Sequence, residues 1–333
     1  MTDFTDLPDL AVRSVGGGVV AANDELFAER ENLIRPEAPV FQPHTFGHKG
    51  QIYDGWETRR RREPGHDWAI VRLGVPGIVR GIVVDTAFFV GNYPEHCSIE
   101  GATMHGYPSP EELADADWIE LVPKSPLTGD TRTPFTVDSP RRFTHIRLNI
   151  FPDGGVARLR VHGEAVPHPD HFAEVSVDLA AMENGAVVTG CSNEFFGVPG
   201  NLLLPGNPKN MGDGWETARN RGPDNEWVEI RLAAQGIVRQ VEIDTTHFVG
   251  NAPGWCTLTG DDGIEILPRT RLQPDTPHRF RIEEVDDPVR TIRVDTYPDG
   301  GFGRLRVIGS FTSEGLYEMV QRFVDSTDPQ RQK

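Results

Sequence analysis

The sequence predicts an all-β protein built as two tandem β-sandwich domains, and three observations lead there. The chain repeats itself, its apolar runs have strand length and end in turn formers, and almost none of it has helical periodicity.

The repeat sets the domain organisation. Asp54-Gly55-Trp56-Glu57-Thr58 returns as Asp213-Gly214-Trp215-Glu216-Thr217, an offset of 159. At that offset Gly77-Ile78-Val79-Arg80 returns as Gly236-Ile237-Val238-Arg239, and Phe89-Val90-Gly91-Asn92 as Phe248-Val249-Gly250-Asn251. From Gly77 to Gly101, 13 of 25 positions are identical in the second copy, which chance does not produce. Pro152-Asp153-Gly154-Gly155 and Arg158-Leu159-Arg160-Val161 recur as Pro298-Asp299-Gly300-Gly301 and Arg304-Leu305-Arg306-Val307, now at an offset of 146. The first copy therefore carries 13 additional residues. The Pro, Asp and Glu content of Ala102–Thr133 places them there, as a surface excursion. A segment broken by Pro167 and Pro169, within Gly163–His171, separates the copies and gives domains at 1–165 and 166–333.

Within a copy, Ala69–Leu73, Val79–Asp85 and Thr144–Ile150 are apolar or alternating over strand length, as are Val228–Leu232, Val238–Asp244 and Thr291–Asp295. No amphipathic helix separates them, so strand–helix–strand units are excluded and stacked antiparallel sheets expected. The exception is Glu314–Thr327, where Leu316, Met319, Val320, Phe323 and Val324 share one helical face. That face either packs on its own domain or meets a second copy, which would make a homo-oligomer.

Composition narrows the function. A formal net charge of −17 repels polyphosphate, so nucleic acid is excluded as a partner despite the run Arg59–Arg62. Three cysteines, an odd and sparse count, argue against a disulfide framework and for a reducing compartment. The acidic N-terminus has no leader pattern and no apolar stretch reaches membrane-spanning length, so the expected setting is cytoplasmic, with no membrane association.

Each repeated motif has a structural and a functional reading. Asp-Gly suits a tight turn and Trp anchors it, but neither explains why Glu57/Glu216 recur. Arg60 and Arg62 recur as Arg219 and Arg221, a spacing that puts two guanidiniums on one side of a strand, toward a carboxylate ligand. Asp85 and Asp244 close apolar strands at a rim, where a carboxylate can move protons or orient a ligand, while Gly91-Asn92 and Gly250-Asn251 suit turns. His247 stands beside this motif where the first copy has Phe88, which makes it a candidate acid–base group. Pro-Asp-Gly-Gly reads as a turn, with Arg158 and Arg304 opening the next strand within reach of an anion. No metal-ligand motif, dinucleotide fingerprint or nucleophile elbow is present, so neither a metal nor another cofactor is predicted.

Together the three duplicated blocks resemble the allantoicase (allantoate amidinohydrolase) family, over nearly the whole chain from about Asn23 to Gly309. The resemblance implies two jelly-roll domains of the galactose-binding-like kind, and hydrolysis of allantoate to ureidoglycolate and urea in purine (allantoin) degradation. It implies a hydrolase acting on linear amidines, with allantoate as its small-molecule partner. Against that reaction, Arg60, Arg158, Arg219 and Arg304 become carboxylate clamps, and Asn92 and Asn251 partners for ureido groups. Asp153 and Asp299 become further substrate contacts. Glu57, Asp85, Glu216, Asp244 and His247 become the proton-transfer candidates. The competing reading is a non-catalytic tandem module binding a sugar or small acid; the charged rather than aromatic loop residues favour the enzyme.

Overall fold

The computed structural model describes residues 3–48, 50–283 and 285–327. Two compact units divide between Val166 and Pro167. Each unit is a jelly-roll sandwich, and all its described strand pairings are antiparallel.

One long strand organises each unit. In the first, Asp67–Asp85 runs 19 residues. Its early part pairs with Gly18–Ala22 and Arg142–Phe151, its later part with Arg132–Thr136 and Arg158–Ala165. The register shifts between Arg72 and Gly77, where the strand bends and passes from one layer of the sandwich to the other. Glu226–Asp244 does the same in the second unit, with a shift between Arg231 and Gly236. Two separate strands had been expected in each of these places. The polar interruption in the sequence is a bend that changes partners without breaking the chain's extended course.

The remaining strands complete the layers. His96–Ala102 lies between Arg142–Phe151 and Ile119–Pro126, and Trp255–Gly260 between Val289–Tyr297 and Glu265–Arg271. Alternation along them buries Val71, Val84, Ile99, Leu148, Leu159 and Val161 completely in one core, and Val228, Ile243, Leu258, Val294, Leu305 and Val307 in the other. Each such side chain contributes roughly 1.5–3 kcal/mol relative to exposure.

The excursion in the first copy is more than surface. Ser109 and Glu112 form a reciprocal cap on a short helix, Pro110–Ala114, that carries the fully buried Leu113. Leu113, with Met104 and Trp118, packs against Ala21 and Ile70 on the sheet. The second copy has a tight turn at Asp261–Gly263 instead, and its sheet has Gly190 and Glu229 where Ala21 and Ile70 stand. The added residues thus cover a patch that the other copy leaves polar.

The C-terminal helix, Ser313–Thr327, is capped by Thr312 Oγ1, which accepts from Gly315 N at 3.0 Å. Arg290 grips Glu318 in two hydrogen bonds of 2.6 and 2.9 Å.

Arg158 and Arg304 stabilise the fold at equivalent places. The Arg158 guanidinium is buried; it pairs with Asp54 Oδ2 at 2.9 Å and donates to the carbonyls of Glu37, Asp54 and Ala157. Arg304 pairs with Asp213 Oδ2 at 3.0 Å and donates to the carbonyls of Gly206, Asp213 and Gly303. Both ends of the pair recur because the aspartate's turn is tied through it to the closing strand. Arg158→Ala and Arg304→Ala are each expected to lower unfolding free energy by about 1–3 kcal/mol, since a half-buried carboxylate and several backbone carbonyls lose their buried donor. Chemical denaturation checks this, with the exposed Arg60→Ala expected within about 0.5 kcal/mol of the parent.

Candidate functional site

Three repeated loops interlock around one hollow in the first unit. Thr58 N donates to Gly154 O and Gly154 N donates back to Thr58 Oγ1, both at 3.1 Å. Gly155 N donates to Asn92 O at 2.8 Å, tying the second loop to the third. Both glycines are needed: Gly154 has φ +138°, and a Cβ on Gly155 would lie 2.0 Å from the Phe89 ring. Asp153 Oδ2 accepts from Arg61 N at 2.8 Å. Trp56, fully buried, donates from its indole to Asp24 O at 2.8 Å and fixes the start of the first loop.

Glu57 is thereby held at the floor of a hollow of about 910 Å³. Its carboxylate is buried, 9% exposed, and Oε1 accepts from Asn92 Nδ2 at 2.7 Å. Burial pushes its pKa above the ordinary carboxylate range, a rise that the Asn92 hydrogen bond opposes. Around it stand Arg60, Arg62 and Asp153, with Phe27, Gln51, Tyr53, Tyr93 and Glu95. Arg60 and Arg62 are exposed and make no ion pair among the described residues. Regular strand ends at Glu57, so these two share a hollow through an irregular loop rather than through strand alternation.

Four sequence candidates, Glu57, Arg60, Asn92 and Asp153, therefore converge. Others do not join them. Asp85 accepts from Ala87 N at 2.8 Å and lines a separate hollow of about 400 Å³ with Phe88, Arg132, Arg158 and Arg160. Asp244 likewise caps its own turn, accepting from Thr246 N at 2.8 Å. Both carboxylates thus cap turns and stand apart from Glu57. Arg158 and Arg304 commit their donors to aspartate and backbone oxygens and do not line the hollow of Glu57. His247 has φ +74°, matching Phe88 at +68°, and its ring nitrogen lies 3.1 Å from Pro208 O. Phe88 lines the hollow of Asp85, not that of Glu57, so the histidine marks a left-handed turn position.

In the second unit the scaffold repeats. Gly300 N donates to Thr217 Oγ1 at 3.0 Å, Gly301 N to Asn251 O at 2.9 Å, and Asn220 N to Asp299 Oδ2 at 2.7 Å. The Asn251 amide, however, lies 3.4 Å from the Met211 sulfur instead of on Glu216, which is half-buried, and Arg219 is exposed.

Gln51, Tyr53, Tyr93 and Glu95 were missed because they are not shared by the two copies. Tyr93 directly follows Gly91-Asn92 and Glu95 lies two residues further on, and that proximity was the available signal. Cys97 and Cys256 are buried, with thiols pushed up to about 12, so neither is a ready nucleophile. Among the described residues no cluster of His, Cys, Asp and Glu has the arrangement to hold a metal ion, and no helix is long and apolar enough to cross a membrane.

Fold and site together define a duplicated jelly-roll protein whose first sandwich carries a hollow lined by charged and polar side chains. The allantoicase repeat matches residues 8–166 and again 177–312. A probable allantoicase of Nocardia farcinica is 56% identical over 312 residues, covering 92% of this chain and 95% of its own length. The allantoicase of Dictyostelium discoideum is 41% identical over 91% of this chain and 87% of its own. The crystal structure of allantoicase from Saccharomyces cerevisiae aligns with a TM-score of 0.78 and 37% identity, covering 91% and 92% of the two chains. The chain belongs to the allantoicase family.

Because burial raises the Glu57 pKa in the fold, the stability tied to its protonated form is complete at low pH and is lost as pH rises through the folded value. Glu57→Gln keeps the Asn92 contact without the charge. It is expected to be more stable than the parent at neutral pH, with the gain vanishing below about pH 4. Denaturation midpoints measured from acid to neutral pH check the sign.

Proposed function

We propose that the protein hydrolyses allantoate to ureidoglycolate and urea, and that the hollow around Glu57 is where it does so. The carrying observation is a buried carboxyl, fixed by an amide, in a hollow that also holds two guanidiniums with no ion pair among the described residues.

Allantoate is a carbon bearing one hydrogen, one carboxylate and two ureido groups. The bond to break joins that carbon to a ureido nitrogen. Protonated Glu57 gives its proton to the departing nitrogen while the remaining ureido nitrogen donates its lone pair, forming a carbon–nitrogen double bond and releasing urea. Water then adds to the carbon and loses a proton to the Glu57 carboxylate, which restores the starting state and leaves ureidoglycolate. The raised pKa suits both halves, because the group must be protonated at first and basic afterwards. Arg60 and Arg62 hold the substrate carboxylate, and Asp153 and Asn92 offer acceptor and donor to the ureido groups. A cytoplasmic setting suits the three free cysteines.

Urea release from allantoate by the purified protein tests the reaction. Glu57→Gln is expected to lose about 10²- to 10⁴-fold in kcat. Arg60→Ala is expected to raise KM about 10- to 100-fold, the value of one charge-assisted contact, with a smaller effect on kcat. Undiminished turnover in Glu57→Gln removes Glu57 from the mechanism. Allantoate binding without urea release by the parent protein would favour the binding-module reading instead.

A further inference from the structure

The two halves share a scaffold but differ in what the scaffold displays. In the first, Asn92 Nδ2 rests on Glu57 at 2.7 Å; in the second, the equivalent amide lies against Met211 Sδ at 3.4 Å. Met211 sits in the turn Met211–Asp213, where the first copy has Ile52 at the same offset. A thioether is a weak acceptor, so Asn251 exchanges a strong carboxylate contact for a poor one. The walls differ too. Tyr53, Tyr93 and Glu95 line the first hollow, and their counterparts at the repeat offset are Gly212, Ala252 and Gly254. Replacing two phenol rings and a carboxylate by hydrogen and methyl opens the second site to water, and Glu216 is correspondingly more exposed than Glu57. Every backbone link that positions the loops is nonetheless present in both halves.

We infer that the repeats have divided their roles: the first forms the working site, with Asn92 as the residue that positions Glu57, and the second keeps the architecture without the chemistry. This rests on the reaction assigned above. The mechanism needs a carboxyl shielded from water and fixed in direction, and only the first half supplies both. Asn92 acts through Glu57 as well as on substrate. Its amide favours the ionised carboxylate, so removing it moves the Glu57 titration further upward.

Matched substitutions test the division in the intact chain. Glu57→Gln is expected to cost at least 100-fold in kcat, while Glu216→Gln stays within about twofold. Asn92→Ala is expected to lower kcat and shift the pH–rate limb belonging to Glu57 to higher pH; Asn251→Ala leaves both unchanged. A merely structural role for Asn92 lowers activity at every pH without moving that limb. Thermal midpoints confirm that each variant is folded. Comparable losses from Glu57→Gln and Glu216→Gln, or an unmoved limb in Asn92→Ala, overturn the inference. If the parent releases no urea, the reaction assignment fails instead. Calorimetric titration with allantoate then decides the division on binding: loss in Arg60→Ala/Arg62→Ala with retention in Arg219→Ala/Arg221→Ala supports it, and the reverse, or equal loss, refutes it.

Discussion

The structure around the hollow depends on a reciprocal pair of hydrogen bonds: Thr58 and Gly154 each donate a backbone N–H to the other, one to a carbonyl and one to a hydroxyl. Each bond adds only about 1 kcal/mol net, but an unmatched buried donor costs about 1–3 kcal/mol. The chain therefore has little freedom to separate these loops. Once they are locked, Gly155 fixes the Asn92 backbone, the Asn92 amide meets Glu57, and a carboxyl is retained where water scarcely reaches it. A threonine hydroxyl, chemically inert here, is what allows a glutamate to be unusual.

The same lock operates in the second half through Thr217 and Gly300, yet the result there differs. Backbone geometry is set by turn residues and by pairs such as Asp54–Arg158 and Asp213–Arg304, in which the guanidinium is buried. Site chemistry is set by side chains on top of that frame, which can change without unfolding it. Asn251 keeps its carbonyl in place for Gly301 while its amide takes another partner. Duplication makes the distinction visible, because one frame supports two different surfaces.

The fold was legible because its signals are local and occur twice: alternation, Gly- and Pro-rich turns, and motifs in the same order. What was not legible lies where one residue serves two ends. The polar interruption in each 19-residue strand reads as a stop but is a bend. The excursion reads as surface by composition, although Ile70 in place of Glu229 already marked a sheet patch needing cover. At the site, repetition picked out Glu57, Arg60, Asn92 and Asp153. It equally picked out Arg158, Asp85 and Asp244, because a buried clamp or a turn-capping carboxylate is as constrained as a catalytic group. It passed over Tyr53 and Tyr93, since a feature belonging to one half alone cannot be found by comparing halves.

The long central strand of each unit also governs when that unit can exist. Asp67–Asp85 finds its partner Arg158–Ala165 only after some seventy further residues have been made, and those last residues also supply Leu159 and Val161 to the core. A nascent chain ending short of them has a sandwich with an open edge and an exposed interior. The first half thus cannot close until its own final strand leaves the ribosome. Synthesis in order makes every strand of the first sheet before those of its near-copy, which limits the chance that strands of one half pair with the matching strands of the other.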